Sequence, residues 1–287
     1  MAGARTLLPV LFVLALLVAA LLRRPPVALP DRLLVIARST RRWRLTGLLC
    51  GLATAVVSAQ TGMLGRGVLL AGPLLALCAL LGVVAGELGV RAPAAPRRSA
   101  ALEVRRVRDY LPTRLTPAVG AATAVLVALV GFTTAVASPD DLGRAGRVLT
   151  RTCSAVQSQG RSPWPGSFYA WPLAVVGLVA LVVAGLALTS ATRRPRQGQA
   201  RGLDDALRRQ VVSGVVAATG LLVTIPLVGV GTVASAGLLQ ICAAPAAWTV
   251  IGLLLLAVVP LALALGVWCA AVLIAPRRLT SDDVARA

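Results

Sequence analysis

Residues 67–90, GVLLAGPLLALCALLGVVAGELGV, carry a single charged side chain, Glu87, and run directly into residues 91–114, RAPAAPRRSAALEVRRVRDYLPTR, which carry seven arginines. An apolar run needs about 20 residues to cross a bilayer as a helix, and arginine collects on the cytoplasmic flank of such spans. The first stretch therefore reads as a membrane span and the second as an inner loop. Extending the same reading in both directions decides the fold.

Six further apolar runs follow the same rule, giving spans at about 6–22, 45–60, 67–90, 117–138, 169–190, 211–234 and 247–275. The connections alternate in charge. Seven arginines lie in 23–44, only Arg66 lies between 60 and 67, and seven recur in 91–114. Four are spread over 139–168, six fall in 191–210, none lies near Ile241, and the tail has Arg277, Arg278 and Arg286. The alternation places the N-terminus outside and the C-terminus inside. The expectation is an all-α polytopic membrane protein, a single domain of seven helices, with 139–168 as an extracellular loop. A cleaved signal peptide at 6–22, suggested by Arg5 and the small residues Ala19 and Ala20, would turn every arginine-rich loop outward, so the run reads as an uncleaved helix.

The composition agrees: 57% of residues are hydrophobic and 14% charged, against about one quarter charged in soluble domains. The net charge of +19 comes entirely from arginine. Its placement between spans fits orientation and contact with anionic lipid headgroups at the inner face, not nucleic acid.

The chain contains no histidine, lysine or asparagine. Ser–His and Cys–His nucleophile systems, histidine-ligated metals, lysine Schiff bases and the lysine-bearing phosphate loop are thereby excluded. No catalytic set, cofactor site or metal site is expected, and the chain reads as a non-enzyme. Glu87 is the only carboxylate within a span. It is an intramembrane ionisable group, with Arg91 four residues on as the expected ion-pair partner. The acidic pairs Asp140–Asp141, Asp204–Asp205 and Asp282–Asp283 read as helix starts, where negative charge meets the positive end of the helix dipole.

Cys50, Cys78 and Cys269 fall in spans and read as small packing residues. Cys153 and Cys242 fall in two different outer loops, where a disulfide between them is permitted. Gly47, Gly51, Ala55 and Ala59 recur every four residues on one span, and Gly82 and Gly86 on the next. Such small residues let two backbones approach where apolar burial supplies no drive, so these two spans are expected to pack together. The six spans after the first read as three hairpins, a pattern open to a parallel threefold repeat. Pro73, Pro226 and Pro260 interrupt spans, as transporter helices often are.

Trp43 and Tyr110 are expected in the inner aromatic belt, and Trp164, Phe168, Tyr169, Trp171 and Trp248 in the outer one. The segment SPWPGSFYAW, 162–171, also offers a binding platform. In the inner loop, Val104, Val107 and Leu111 share a helical face opposite arginines. This suits an amphipathic surface helix, with Arg105, Arg106, Arg108 and Tyr110 as candidates for docking a partner.

The run Gly86-Glu87-Leu88, Arg91, Pro93, Arg97-Arg98, Ala101-Leu102, Arg105 and Asp109-Tyr110-Leu111-Pro112 resembles a segment of uncharacterised actinobacterial multi-pass membrane proteins. It covers about a tenth of the chain. The resemblance implies a plasma-membrane location and carries no activity with it. The functional expectation is a membrane protein without catalytic machinery, a permease-like transport subunit driven by a separate ATPase. The alternative is a scaffold or sensor that binds envelope proteins or other partners through its outer loop and basic inner loops.

Overall fold

Hydrocarbon leaves no water to satisfy backbone N–H and C=O groups, so a chain this apolar must pair them within its own helices. The computed structural model describes residues 31–61, 63–89, 107–193 and 201–274. Six long helices account for most of them: α1 Asp31–Gln60, α2 Arg66–Leu88, α3 Leu115–Ala135, α4 Ser167–Arg193, α5 Arg201–Gln240 and α6 Ala246–Ile274. The expected span 6–22 lies outside the described residues; each of the other six coincides with one helix.

Among the described residues five helices are long and apolar enough to cross a membrane: all of α2, α3 and α6, with Ser167–Ala191 of α4 and Asp205–Gln240 of α5. The fold is therefore that of an all-α membrane protein. α1 falls short of that measure. Its apolar part, 45–60, shares the helix with Arg38, Arg41, Arg42 and Arg44.

α5 is the hub. Of its most apolar stretch 78% is buried, against 17% for α3 and α6 and 22% for α4. It packs on α2, α3, α4 and α6. At about 1.5 Å per residue its 40 residues span roughly 60 Å, twice the hydrocarbon thickness, so both ends project. The core falls in two layers along it. One surrounds Val211–Leu222 with Leu80, Val83, Leu115 and Leu273; the other surrounds Val223–Ile241 with Leu126, Leu129, Trp164 and Leu255.

α1 and α2 form one closely packed antiparallel pair and α5 and α6 a second, but α3 and α4 scarcely touch. This departs from three equivalent hairpins. The long 136–166 connection imposes no tight turn, and α5 packs on both helices.

The α1–α2 seam depends on small residues. A Cβ on Gly47 would lie 2.6 Å from Cys78 O and 2.9 Å from Gly82 Cα; one on Gly51 would lie 2.8 Å from Leu75 O. Gly86 faces Thr40 and Trp43. The four-residue stripe does not hold beyond Gly51, however. The seam continues through Thr54, whose hydroxyl meets Cys78 Sγ at 4.0 Å, and Ser58, whose hydroxyl donates to Gly67 O at 2.9 Å. Ala55 is only half-buried and Ala59 is exposed. Each four-residue step overshoots a full turn by about 40°, so a stripe at that spacing rotates away from a straight partner, whereas alternating steps of four and three stay on it.

Candidate functional site

Among the described residues, the charged side chains lie at the two ends of the bundle. At one end the connection 136–166 folds into a cap. Strands β1 Leu149–Ser154 and β2 Gln157–Arg161 pair antiparallel, Leu149 with Arg161, and a register shift falls between Thr152 and Ser154. Cys153 is the extra residue at that shift. A bulge re-aims the side chain it carries, and the structure joins Cys153 to Cys242, with their Cα atoms 5.5 Å apart.

The hairpin side chains around this bond grip the α5–α6 turn. Arg161 Nη2 donates to Gln240 O at 2.9 Å, Arg151 Nη2 donates to Ala243 O at 2.9 Å, and Gln159 Oε1 accepts from Cys242 N at 2.8 Å. Arg151 also lies 4.9 Å from the Trp248 ring centroid. The α1–α2 turn is held from the same side. Tyr169 Oη donates to Leu64 O at 2.7 Å, while Arg66 and Arg147 approach the Phe168 ring at 4.9 and 4.2 Å. Among the described residues, Leu64 and Ala243 are the two non-glycine residues with left-handed backbone, φ 56° and 47°. That conformation costs about 1–2 kcal/mol, and in both turns the carbonyl of the strained residue is bound by a side chain, Tyr169 at the start of α4 for Leu64 and Arg151 of the cap for Ala243. All three connections at this end thus form one layer.

Trp164 is the cap's plug. It is fully buried, its indole N–H donates to Thr133 O at 2.9 Å, and its backbone N–H donates to Arg147 O at 2.9 Å. The expectation of an interfacial Trp164 is therefore corrected: the cap folds over it. Tyr169 is buried too; within 162–171, Trp164, Pro165, Gly166 and Tyr169 are buried, while Ser162, Pro163, Ser167 and Trp171 are exposed. Trp171 is well exposed on its helix and Trp248 half-exposed, positions that suit a belt.

No helix follows Asp140–Asp141. Asp140 instead organises a loop, accepting from Leu142 N at 3.0 Å, Arg144 N at 2.9 Å and Arg144 Nε at 2.7 Å, with Arg147 Nη1 at 3.9 Å. Desolvation raises its carboxyl, but these hydrogen bonds and the Arg144 charge outweigh it and hold the group below the usual carboxylate range. Gly146, at φ 73°, lets the loop pass Ser167, where a Cβ would come within 2.6 Å of the backbone nitrogen.

At the opposite end three charged side chains among the described residues are buried: Arg44 at 9% exposure, Glu87 at 7% and Arg208 at 2%. Arg44 on α1 and Glu87 on α2 interact electrostatically. The Arg44 guanidinium extends onto α5, where a Cβ on Gly214 would lie 3.4 Å from Nη2. Glu87 thus feels the charge of a cation on the neighbouring helix; the expected partner, Arg91, lies outside the described residues. Arg208 Nη1 donates to Ala191 O at 2.7 Å, satisfying a carbonyl in the last turns of α4 and opposing the negative end of its dipole.

The expected amphipathic helix is described only as a short 3₁₀ turn, Val107–Tyr110; Arg105 and Arg106 lie outside the described residues. Tyr110 is engaged internally, its hydroxyl donating to Asp205 Oδ1 at 3.2 Å. Arg108 stays exposed beside Asp109. Asp205 lies in the opening turns of α5, as expected of a helix start.

Sequence reading missed the burial of Arg44 and Arg208. Arg208 had a signal: Leu203, Leu207 and Val211 at four-residue spacing extend the helical pattern upstream of the apolar run. Arg44 had none, because Gly214 opposite it is a tertiary neighbour. The chain matches no protein-family model, and neither curated proteins nor solved structures give a match.

Proposed function

We propose that the chain is a multi-pass plasma-membrane protein without catalytic machinery, serving as a permease-like transport subunit, with seven spans, N-terminus outside and C-terminus inside. One observation supports this above others. Gly72, just before Pro73 in α2, packs on Ile225, just before Pro226 in α5: a Cβ on Gly72 would sit 2.7 Å from Ile225 Cβ. Each proline removes a backbone donor from its helix. Two interrupted ladders at one level of the hub interface give a place to flex, as transporter helices have at their working sites. With few buried charges, the cargo is apolar or amphipathic and the drive comes from a separate ATPase. Affinity purification from native membranes in mild detergent, followed by mass spectrometry, tests this reading. A stoichiometric nucleotide-binding ATPase supports it; recovery alone or with envelope proteins only counts against it.

A second reading, a scaffold or sensor, draws on the cap. The hairpin tip presents Val156 at 98% exposure, with Leu142 also exposed, on a base tied firmly to the bundle. A partner lost on Val156→Asp, with transport unaffected, favours this reading.

A further inference from the structure

On α1, at the end opposite the cap, lies a recess of about 570 Å³ lined by Arg38, Ser39, Arg42, Trp43 and Thr46, with Trp43 on its α2 side beside Gly86. Arg38 and Arg42 stand one turn apart, and among the described residues neither side chain has a hydrogen bond or ion pair. The nearby cation Arg44 is buried on another face, where Glu87 attracts it. Below the two arginines the same face carries Thr46, Leu49, Ala53 and Val57. At about 100° per residue these positions and the arginines stay within one side of the helix. Leu49 and Val57 are exposed, and Trp43 is 46% exposed at the junction.

We infer that this recess is a binding site for one anionic phospholipid. The phosphate is held between the Arg38 and Arg42 guanidiniums, the Trp43 indole lies at the glycerol level, and an acyl chain runs along Leu49, Ala53 and Val57. The chemistry follows from the order of groups. Guanidinium is the side chain best matched to phosphate oxygens, an indole settles where apolar and wet regions meet, and an apolar track continues from it. A free phosphate uses only the top of this surface, whereas a lipid uses all of it. The inference rests on reading the bundle as membrane-embedded, and its test separates the two ideas.

The full-length protein is placed in nanodiscs of phosphatidylcholine containing a minor fraction of phosphatidylglycerol, and retained lipid is counted by native mass spectrometry. The wild type keeps one phosphatidylglycerol that Arg38→Gln/Arg42→Gln loses, with affinity falling about thirtyfold, roughly fivefold for each arginine. Arg209→Gln, which removes an exposed arginine at the same end, keeps it. Phosphatidylglycerol with brominated chains quenches Trp43 fluorescence, measured as the difference between wild type and Trp43→Phe. Equal loss in all variants, or stripping of the lipid by millimolar inorganic phosphate, overturns the site. So does an unquenched Trp43 while the exposed Trp171 and Trp268 are quenched, because another part of the chain then covers the recess. If no tryptophan is quenched, the membrane reading itself fails.

Discussion

Gly237 leaves the space that Trp164 fills: a Cβ on Gly237 would lie 2.7 Å from Cζ3 of the indole. The cap is thus keyed into the hub helix by a ring against bare backbone. Gly237→Val is expected to destabilise the protein by about 1–3 kcal/mol through overpacking, and Trp164→Ala by about 3–5 kcal/mol through the cavity it leaves. Thermal unfolding in detergent measures both. A Gly237→Val variant melting with the wild type shows that the ring does not seat there.

The Cys153–Cys242 bond closes 89 residues of chain, and loss of such a bond typically costs about 2–5 kcal/mol. Cys153→Ser/Cys242→Ser should melt earlier in oxidised membranes, and reductant should move the wild type to the same midpoint. The Arg151, Gln159 and Arg161 contacts remain, so the hairpin should stay resistant to limited proteolysis at low temperature. Two free thiols in the oxidised wild type, seen as an alkylation mass shift, remove the premise.

Gly47→Leu and Gly51→Leu place a side chain against the α2 backbone, so both should loosen the α1–α2 pair by more than about 2 kcal/mol. Gly177 has open space around it, and Gly177→Leu should be close to neutral. Equal effects at all three positions would mean that helix propensity, not close approach, sets the result.

Removing one member of a buried ion pair strands the other charge, at a cost of about 3–5 kcal/mol. Arg44→Met and Glu87→Leu should each reduce stability strongly, and the double variant should recover most of the loss. Additive losses in this double-mutant cycle would show that the two groups do not act as a pair.

Asp140 has a folded-state pKa below its unfolded value, so its contribution is complete above the ordinary carboxylate range. It is lost as pH falls through that range to the lower folded value. Proteolysis of the cap in the 140–147 loop should therefore accelerate from pH 5 towards about pH 3. Asp140→Asn should be cleaved quickly throughout and show no such transition. A wild-type rate that does not change with pH refutes the role.

The six helices were legible because hydrocarbon imposes a length and a composition on each span, and both are local properties of sequence. Helix ends were less legible. α5 begins ten residues before its apolar run because Leu203, Leu207 and Val211 keep the helical period through charged residues. The pairing of α1 with α2 was legible from glycine spacing; its course past Gly51 was not, since the drift of a four-residue stripe shows only against a partner. The cap was the least legible part. Its strands are polar and short, Cys153 aims at Cys242 only because of a bulge, and Trp164 looks interfacial until the loop folds over it. Arg44 illustrates the same limit: its guanidinium rests against a bare glycine on α5, 170 residues away.

The cap also makes the bundle a lever with a fixed end. Its layer ties the α1–α2 turn, the α3–α4 connection and the α5–α6 turn to one another. At the far end, Arg208 is hydrogen-bonded to α4, and Arg44 and Glu87 attract each other between α1 and α2. A tilt of about 5° around the cap carries the far end of the roughly 60 Å hub through about 5 Å, while the stapled end stays almost still. Any displacement between α1–α2 and α4–α5 is therefore amplified where the guanidinium of Arg44 rests on Gly214.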